Sequence, residues 1–522
     1  MYWIDECVKK IIDTKKTDKY VCAAGITPSG IVHIGNLRDA ITSEFVFRGL
    51  KEAGKDAEFI CSWDDYDRLR KIPKGVPEEF SKYIGMPLYK VPDPYGCHDS
   101  YSVHFEKDVE KDLAKVGIRP RFIYQHKMYL DNKYYPLIKI ALQRRKEIAR
   151  ILFNFKVQDF SKEDIEKYYP LTVYCEACNK DSTKITDYDG ENLVSYECKC
   201  SHKETADISK KNIGKLVWKI DWPMRWSYEK VSFEPGGKEH STRGGSFDVA
   251  SKISQEIFNN PAPVYQAYEF IGIVGMNAKM SSSLGNVIKI SDLLAIYEPE
   301  IIRWFYAKTK PLSMLNFAFD QQILKNYAEF DRFAGKISTN SATDEEKQIG
   351  FYSQIKPGRK IKPNSLSFRQ LASFVQLTKG NRTELEKLLK KAGAKFSQDN
   401  LDARFNSALN WTENYAPPEY RVSVESNANK DYFAKLPQGQ KEMIKKLIKK
   451  LDQHWSEEAL MNLLYDIPKS QTQDTQELKK IQRKFFKNIY MLLIGQETGP
   501  RLNTFFLALG KEKVTNLLDI NE

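Results

Sequence analysis

The chain is short of several things, and each absence narrows what it does. In 522 residues, no apolar run approaches the ~20 residues that a membrane-spanning helix needs. The first residues, Met1 to Tyr20, are charged and hold no apolar core of the kind a secretory leader carries. Cysteine is sparse, with 8 in the whole sequence. Thiols used so thinly in a long chain are expected as metal ligands or small buried groups before disulfides. There is no internal repeat and no low-complexity tract. Together these absences lead to the expectation of a cytoplasmic protein with no membrane partner.

What is present fills cores. A hydrophobic content of 41% with 12% aromatics supports about two to four domains. The net charge of +12 is unevenly spread, because Gln321 onward carries 33 Lys+Arg against 24 Asp+Glu. Lys441, Lys445, Lys446, Lys449 and Lys450 crowd one helix. Such a face is either merely solvated or suited to a phosphate backbone.

The first part of the chain alternates strands and helices. "YVCAAGI" (20–26) and Ala57 to Trp63 read as buried strands, and Asn36 to Leu50 as a helix with Leu37, Ile41, Phe45 and Val46 at helical spacing. The pattern returns at "GKLVWKIDWPMRW" (214–226), read as a strand ending in aromatics, and at the glycine-rich "EPGGKEHSTRGGSFDVA". A parallel α/β sheet interrupted by an insertion explains this order. Beyond about residue 320 the pattern is helical. Met443, Ile444, Leu447, Ile448 and Leu451 form one stripe, Ser456 stands as a cap, and Gly495 stops a helix.

Two stretches bear chemistry. "TPSGIVHIGN" (27–36) places His33, Gly35 and Asn36 at a strand-to-helix turn, where helix amides meet anionic ligands. "KMSSSLGN" (279–286) puts Lys279 before Ser281, Ser282 and Ser283, which suits a departing polyphosphate. In this order the pair is similar to the His-Ile-Gly-His and Lys-Met-Ser-Lys-Ser signatures of class I aminoacyl-tRNA synthetases. Asn36 stands in place of the second His, and Ser282 in place of the second Lys. With "WDDYDRLRK", "DPYGCHDSYSVHF" and "EHSTRGGSFD", residues 1–320 resemble the class I lysyl-tRNA synthetases of archaea and spirochaetes. "TGPRLNTFFLALGKEKV" resembles a helix-cage anticodon-binding domain shared with bacterial glutamyl-tRNA synthetases.

That resemblance implies a Rossmann-like parallel-sheet catalytic domain (1–80 and 206–260) split by a zinc-bearing insertion (81–205). A linking segment (261–320) and an all-α anticodon-binding domain (321–522) follow. It implies a monomer acting on L-lysine, ATP with Mg²⁺ and tRNA(Lys). His33, Asn36, Lys279, Ser281 and Ser282 would be catalytic, and His33, Gly35, Asn36, Lys279 and Met280 would bind ATP. Gly25 and Thr27 would meet the α-amino end of lysine, and Trp218, His240 and Tyr268 its side chain. Gly35 would leave room for the adenosine. Asp64, Asp65 and Asp67 follow a strand; they either face an ammonium or pair with Arg68 and Arg70.

Two groups have metal-ligand spacing. Cys175, Cys178, Cys198 and Cys200 form a zinc knuckle pattern, with His202 as an alternative to Cys200. Asp93, Cys97, His98 and His104 form either a second zinc site or an aromatic loop with incidental polar groups. Cys7, Cys22 and Cys61 read as core residues. Two other functions fit parts of the pattern. A dinucleotide-forming nucleotidyltransferase would be shorter and lack the basic helical region, and a non-catalytic RNA-binding protein would be expected to lose His33 and Lys279.

Overall fold

The computed structural model describes residues 2–155, 161–275 and 287–520. The chain forms two compact units. The first comprises Met1–Leu293, Pro299–Phe317 and Thr343–Lys360; the second comprises Leu294–Glu298, Ala318–Ala342 and Ile361–Glu522.

In chain order the first unit holds β1 (Lys19–Ile26), β2 (Asp56–Trp63) and β3 (Arg121–Tyr124). The small strands β4 (Leu171–Val173), β5 (Thr183–Tyr188), β6 (Leu193–Cys198), β7 (Lys203–Asp207) and β8 (Gly214–Leu216) follow. Then come β9 (Val231–Gly237), β10 (Val264–Tyr268) and the short strands β11 (Ile271–Ile273) and β12 (Leu315–Phe317), which pair with each other. The central sheet runs β10-β9-β1-β2-β3 with every neighbouring pair parallel. A strand buried on both faces has to be apolar throughout, and "YVCAAGI" supplies that run. Because β1 pairs with β2 on one side and β9 on the other, the strand order reverses at β1. That reversal opens a crevice at the carboxyl ends of the strands.

Helices α1 (Trp3–Thr14) and α2 (Ile34–Glu52) pack together, and α2 lies across β1, β2 and β9. The opposite face carries the helices Trp218–Glu229 and Ser246–Glu256, whose Trp222, Trp226 and Ala250 share a core with Val21, Ala23 and Ile60. Helix α3 (Tyr101–Lys115) belongs to the segment between β2 and β3.

Three features depart from the sequence reading. Trp218 starts a helix instead of ending a strand. The strand β8 stops at Leu216 after pairing antiparallel with β4, and Trp218, Trp222 and Trp226 then follow at four-residue spacing. The stretch 81–205 is not wholly an insertion, since it supplies the edge strand β3. Thr343–Lys360, expected with the helical domain, belongs to the first unit. The fully buried Arg303 shows why, donating to Tyr352 O at 2.9 Å, Val116 O at 3.0 Å and Glu44 at 2.7 Å.

The second unit is helical, with Gln322–Ser338, Phe368–Leu377, Gln398–Asn414, Gln438–Leu451, Glu457–Lys469 and Thr475–Ile494 among its helices. Met443, Ile444, Leu447 and Leu451 are buried, and Ile448 is half-buried. Ser456 Oγ accepts from Ala459 N, and Gly495 ends its helix at φ 66°. Buried Arg404 is paired with Glu298 at 2.7 Å and with Asp331. Among the described residues, no helix is long and apolar enough to cross a membrane.

Candidate active site

The turn between β1 and α2 is built around His33, the N-cap of α2. Its Nδ1 accepts from Gly35 N at 3.1 Å, and Asn36 Oδ1 accepts from His33 N at 3.2 Å. The two side chains thus satisfy donors that a helix start leaves without partners. A neutral imidazole that accepts at Nδ1 carries its hydrogen on Nε2, which makes Nε2 a donor. A Cβ at position 35 would stand 2.7 Å from His33 Cε1 and 2.8 Å from Nδ1. Glycine at 35 therefore leaves room for the imidazole where it stands.

Several contacts fix this turn. Tyr101 OH donates to Ser29 O and Tyr306 OH to Ile34 O, each at 3.0 Å. Ile34 N donates to Ile288 O at 3.0 Å. Ile288 is thereby stitched to the start of α2. Lys279, Met280, Ser281 and Ser282 themselves lie outside the described residues. A cavity of about 440 Å³ borders both segments, with Ile31, Val32, His104, Lys115 and Lys289 among its lining residues.

The candidate amino-acid residues gather at the same sheet edge. Gly25 N donates to Asp39 Oδ2 at 3.1 Å, and Tyr268 OH donates to Asp39 Oδ1 at 3.0 Å. The space where a Gly25 side chain would stand is open. Thr27 is half-buried one residue beyond β1. Trp218 stacks on Trp222 at 5.2 Å and 15°, and the Arg225 guanidinium lies 5.4 Å over its ring. His240 stands 6.0 Å from Trp222, ring centre to ring centre. Gly25 and Tyr268 thus share a carboxylate, while Trp218 and His240 share an indole.

Neither reading of the aspartates after β2 describes their partners. Asp64 pairs with Arg225 at 2.8 Å, Asp67 pairs with Lys215, and Asp65 binds the His126 ring and accepts from His126 N at 2.7 Å. Arg68 pairs with Asp181. Asp221 completes the buried network, 2.5 Å from Arg225 and 3.5 Å from Lys215.

Both candidate metal groups assemble. The four thiols of Cys175, Cys178, Cys198 and Cys200 lie within 4.8 Å of one another. The pairs Cys175–Cys200 and Cys178–Cys198 are each 3.7 Å apart. Sulfurs at the corners of a zinc tetrahedron stand about 3.8 Å apart, whereas a disulfide needs about 2.05 Å. His202 is not part of the group; its Nε2 faces Glu204 at 3.5 Å. In the second group, Cys97 Sγ lies 3.1 Å from His98 Nδ1 and 3.2 Å from His104 Nδ1, and Asp93 Oδ1 lies 3.4 Å from His104 Nδ1. Burial works against the Asp93 carboxylate, but N–H donors from Tyr95, Cys97 and His98 outweigh it and hold its pKa down at about 2. An anionic oxygen beside a thiol and two imidazoles is a donor set that zinc accepts. Cys7, Cys22 and Cys61 are buried.

A family model described as tRNA synthetases class I (K) matches residues 1–357. The chain belongs to that family. The lysine–tRNA ligase of Treponema pallidum is 35% identical, spanning 100% of this chain and 98% of that one. Those of Borreliella burgdorferi and Pyrococcus horikoshii are 36% and 35% identical, each over 99% of both chains. Beside the residues read from sequence, the candidate site brings in groups that sequence reasoning missed: Asp39, Glu234, Lys215 and Arg225. Asp39 left only a faint signal, an acid beside Leu37, Ala40 and Ile41 on the buried side of α2.

Proposed function

We infer that this class I (K) synthetase is a lysine–tRNA ligase. The lysine carboxylate attacks the α-phosphorus of ATP, pyrophosphate leaves, and lysyl-adenylate forms. The 3′-terminal hydroxyl of tRNA(Lys) then attacks the activated carbonyl, and AMP leaves. No covalent nucleophile of the protein is needed, so its work is orientation and charge stabilisation. The observation that carries this reading is the hydrogen bond from Ile34 N to Ile288 O. It joins the His33 turn to the segment following Lys279 at the carboxyl edge of a parallel sheet.

In this account His33 Nε2, Asn36 and the first amides of α2 donate to phosphate oxygens, with Gly35 keeping the approach open. Lys279, Met280, Ser281 and Ser282 close on the nucleotide, and Lys279 follows the charge of the departing pyrophosphate. Mg²⁺ carried by ATP supplies the positive charge that Ser282 does not. Gly25 and Thr27 meet the α-amino end of lysine. Trp218, His240 and Tyr268 meet the side chain, offering π-faces and acceptors in place of water. Zinc in the two ligand groups is structural, since four protein ligands leave no open position. The Asp93–His104 group anchors α3, whose Tyr101 holds the turn at Ser29.

We assign catalysis to the first unit, whose central sheet takes β3 and β10 from beyond the bounds 1–80 and 206–260 read from sequence. Anticodon binding falls to the helical second unit, within the residues after 321 where the positive charge is concentrated. The protein acts as a cytoplasmic monomer. Lys279→Ala tests the reading, because it lowers lysine-dependent ATP–pyrophosphate exchange by orders of magnitude without changing the fold. A variant with wild-type exchange would overturn the assignment.

A further inference from the structure

Buried carboxylates in the first unit are mostly matched by cations. Asp64 and Asp221 face Arg225 and Lys215, and Glu44 faces Arg48 and Arg303. Asp39, Glu234 and, on α3, Glu106 differ, and of these Asp39, on α2, and Glu234, on β9, lie at the sheet that carries the candidate site. Each of these two is only 8% exposed, and neither forms an ion pair with a described residue. Asp39 receives Gly25 N and Tyr268 OH. Glu234 receives the Trp226 indole N–H at 2.5 Å.

They flank the sheet edge from opposite faces. Glu234 pairs in register with Tyr265, which stacks on Phe247 at 4.0 Å on the face of the Trp218–Glu229 helix. Tyr268, three residues on and so on the other face, reaches Asp39 on α2. The open position beside Gly25 lies at the same edge. A sheet edge flanked by two buried acids that form no ion pair, with Arg225 the cation that acts on Glu234, favours a ligand that brings positive charge of its own.

The Tyr268 bond has a direction. While its hydroxyl hydrogen is committed to Asp39, the phenol oxygen can act only as an acceptor toward any further partner. An ammonium group needs such acceptors, and a neutral side chain does not.

We propose that Asp39 is a positioning and specificity-determining residue, holding Tyr268 as a hydrogen-bond acceptor and, with Glu234, making the crevice selective for an amino acid that carries a second positive charge. This rests on the lysine reading above. The ionisation of Asp39 couples to the ligand. Burial, and then the charge of Glu234, push its carboxyl up to about 8, against the opposing pull of Gly25 N–H and Tyr268 OH. The other titratable groups that sense it are Cys61 on β2 and Tyr265 on β10, neither of them cationic. An arriving ammonium favours the carboxylate, so the proton leaves as lysine binds.

The test is ATP–pyrophosphate exchange in the presence of total tRNA, comparing wild type with Asp39→Asn. The variant raises the KM for lysine about tenfold or more, as expected when a ligand's polar match is removed, and leaves the KM for ATP within about twofold. Preference for lysine over norleucine, which lacks the side-chain amine, falls by a similar factor. An unchanged lysine KM, or lysine and ATP KM values rising together, overturns the proposal. Wild-type protein gives an independent reading by calorimetry at pH 7 in two buffers of different ionisation enthalpy. Lysine binding is accompanied by net proton release; release of none overturns the proposal even where the variant fails to fold. If the wild type prefers another amino acid, the lysine reading itself has failed. If wild type prefers lysine and the variant keeps both that preference and its lysine KM, only the role of Asp39 has failed.

Discussion

Replacing Gly35 by alanine separates stability from chemistry. Gly35 is not among the residues with positive φ, so its backbone accepts alanine, and a helical position gains up to about 1 kcal/mol from the exchange. The new methyl cannot coexist with the imidazole, which would lie 2.7–2.8 Å from it. His33 must rotate away, breaking the 3.1 Å bond from Gly35 N and giving up about 1 kcal/mol of capping. The two effects nearly cancel, and the melting temperature stays within a few degrees of wild type. Catalysis has no such compensation. Moving one preorganised donor away from a developing phosphate charge costs about 3 kcal/mol, or about a hundredfold in rate. Thermal melting and lysine-dependent pyrophosphate exchange on the same preparation check both halves. Wild-type exchange in the variant would show that the imidazole is not used where it stands. A rate loss accompanied by unfolding would show that the glycine serves only the fold.

Three other outcomes follow from the same geometry. Metal analysis gives close to two zinc ions per chain, and Cys175→Ser lowers the count to one; a wild-type count of one removes one of the two groups. Asp39→Asn raises the melting temperature near pH 7.5 and has little effect below about pH 4. Between those limits the folded Asp39 keeps a proton, with its carboxyl near 8, that the unfolded chain has lost, so wild-type stability falls as pH rises through this window; a variant no more stable than wild type at pH 7.5 would contradict this. A chain cut at residue 320 loses Tyr352, Gln354 and Ile355, whose carbonyls accept from Arg303 and Arg48. It therefore melts lower or aggregates, whereas a soluble cut chain with full lysine exchange would show that Thr343–Lys360 is dispensable.

What was legible in the sequence was local. The β1 strand, the His33 turn and both metal groups are encoded within short spans, where spacing alone brings the groups together. The helix at Trp218 was not legible, because "KLVWKIDW" is apolar enough for either period and the decision rests on β8 ending against β4. The partners of Asp64 and Asp67 escaped for another reason. Lys215 and Arg225 lie about 150 residues away, and nearby Arg68 and Arg70 offered a simpler pairing. Asp39 reads as an ordinary helix acid until Tyr268 arrives from β10. The bond between Arg303 and Tyr352 O, which draws Thr343–Lys360 into the first unit, uses a backbone acceptor that carries no residue signal.

The central claim, that this site activates lysine, is tested most directly by ATP–pyrophosphate exchange with purified protein and total tRNA, offering each of the twenty amino acids in turn. The account predicts exchange with lysine far above that with any other amino acid, arginine and glutamate included. Faster exchange with a different amino acid would contradict the lysine assignment, and no exchange with any would contradict the reading of the His33 and Lys279 segments as an active site.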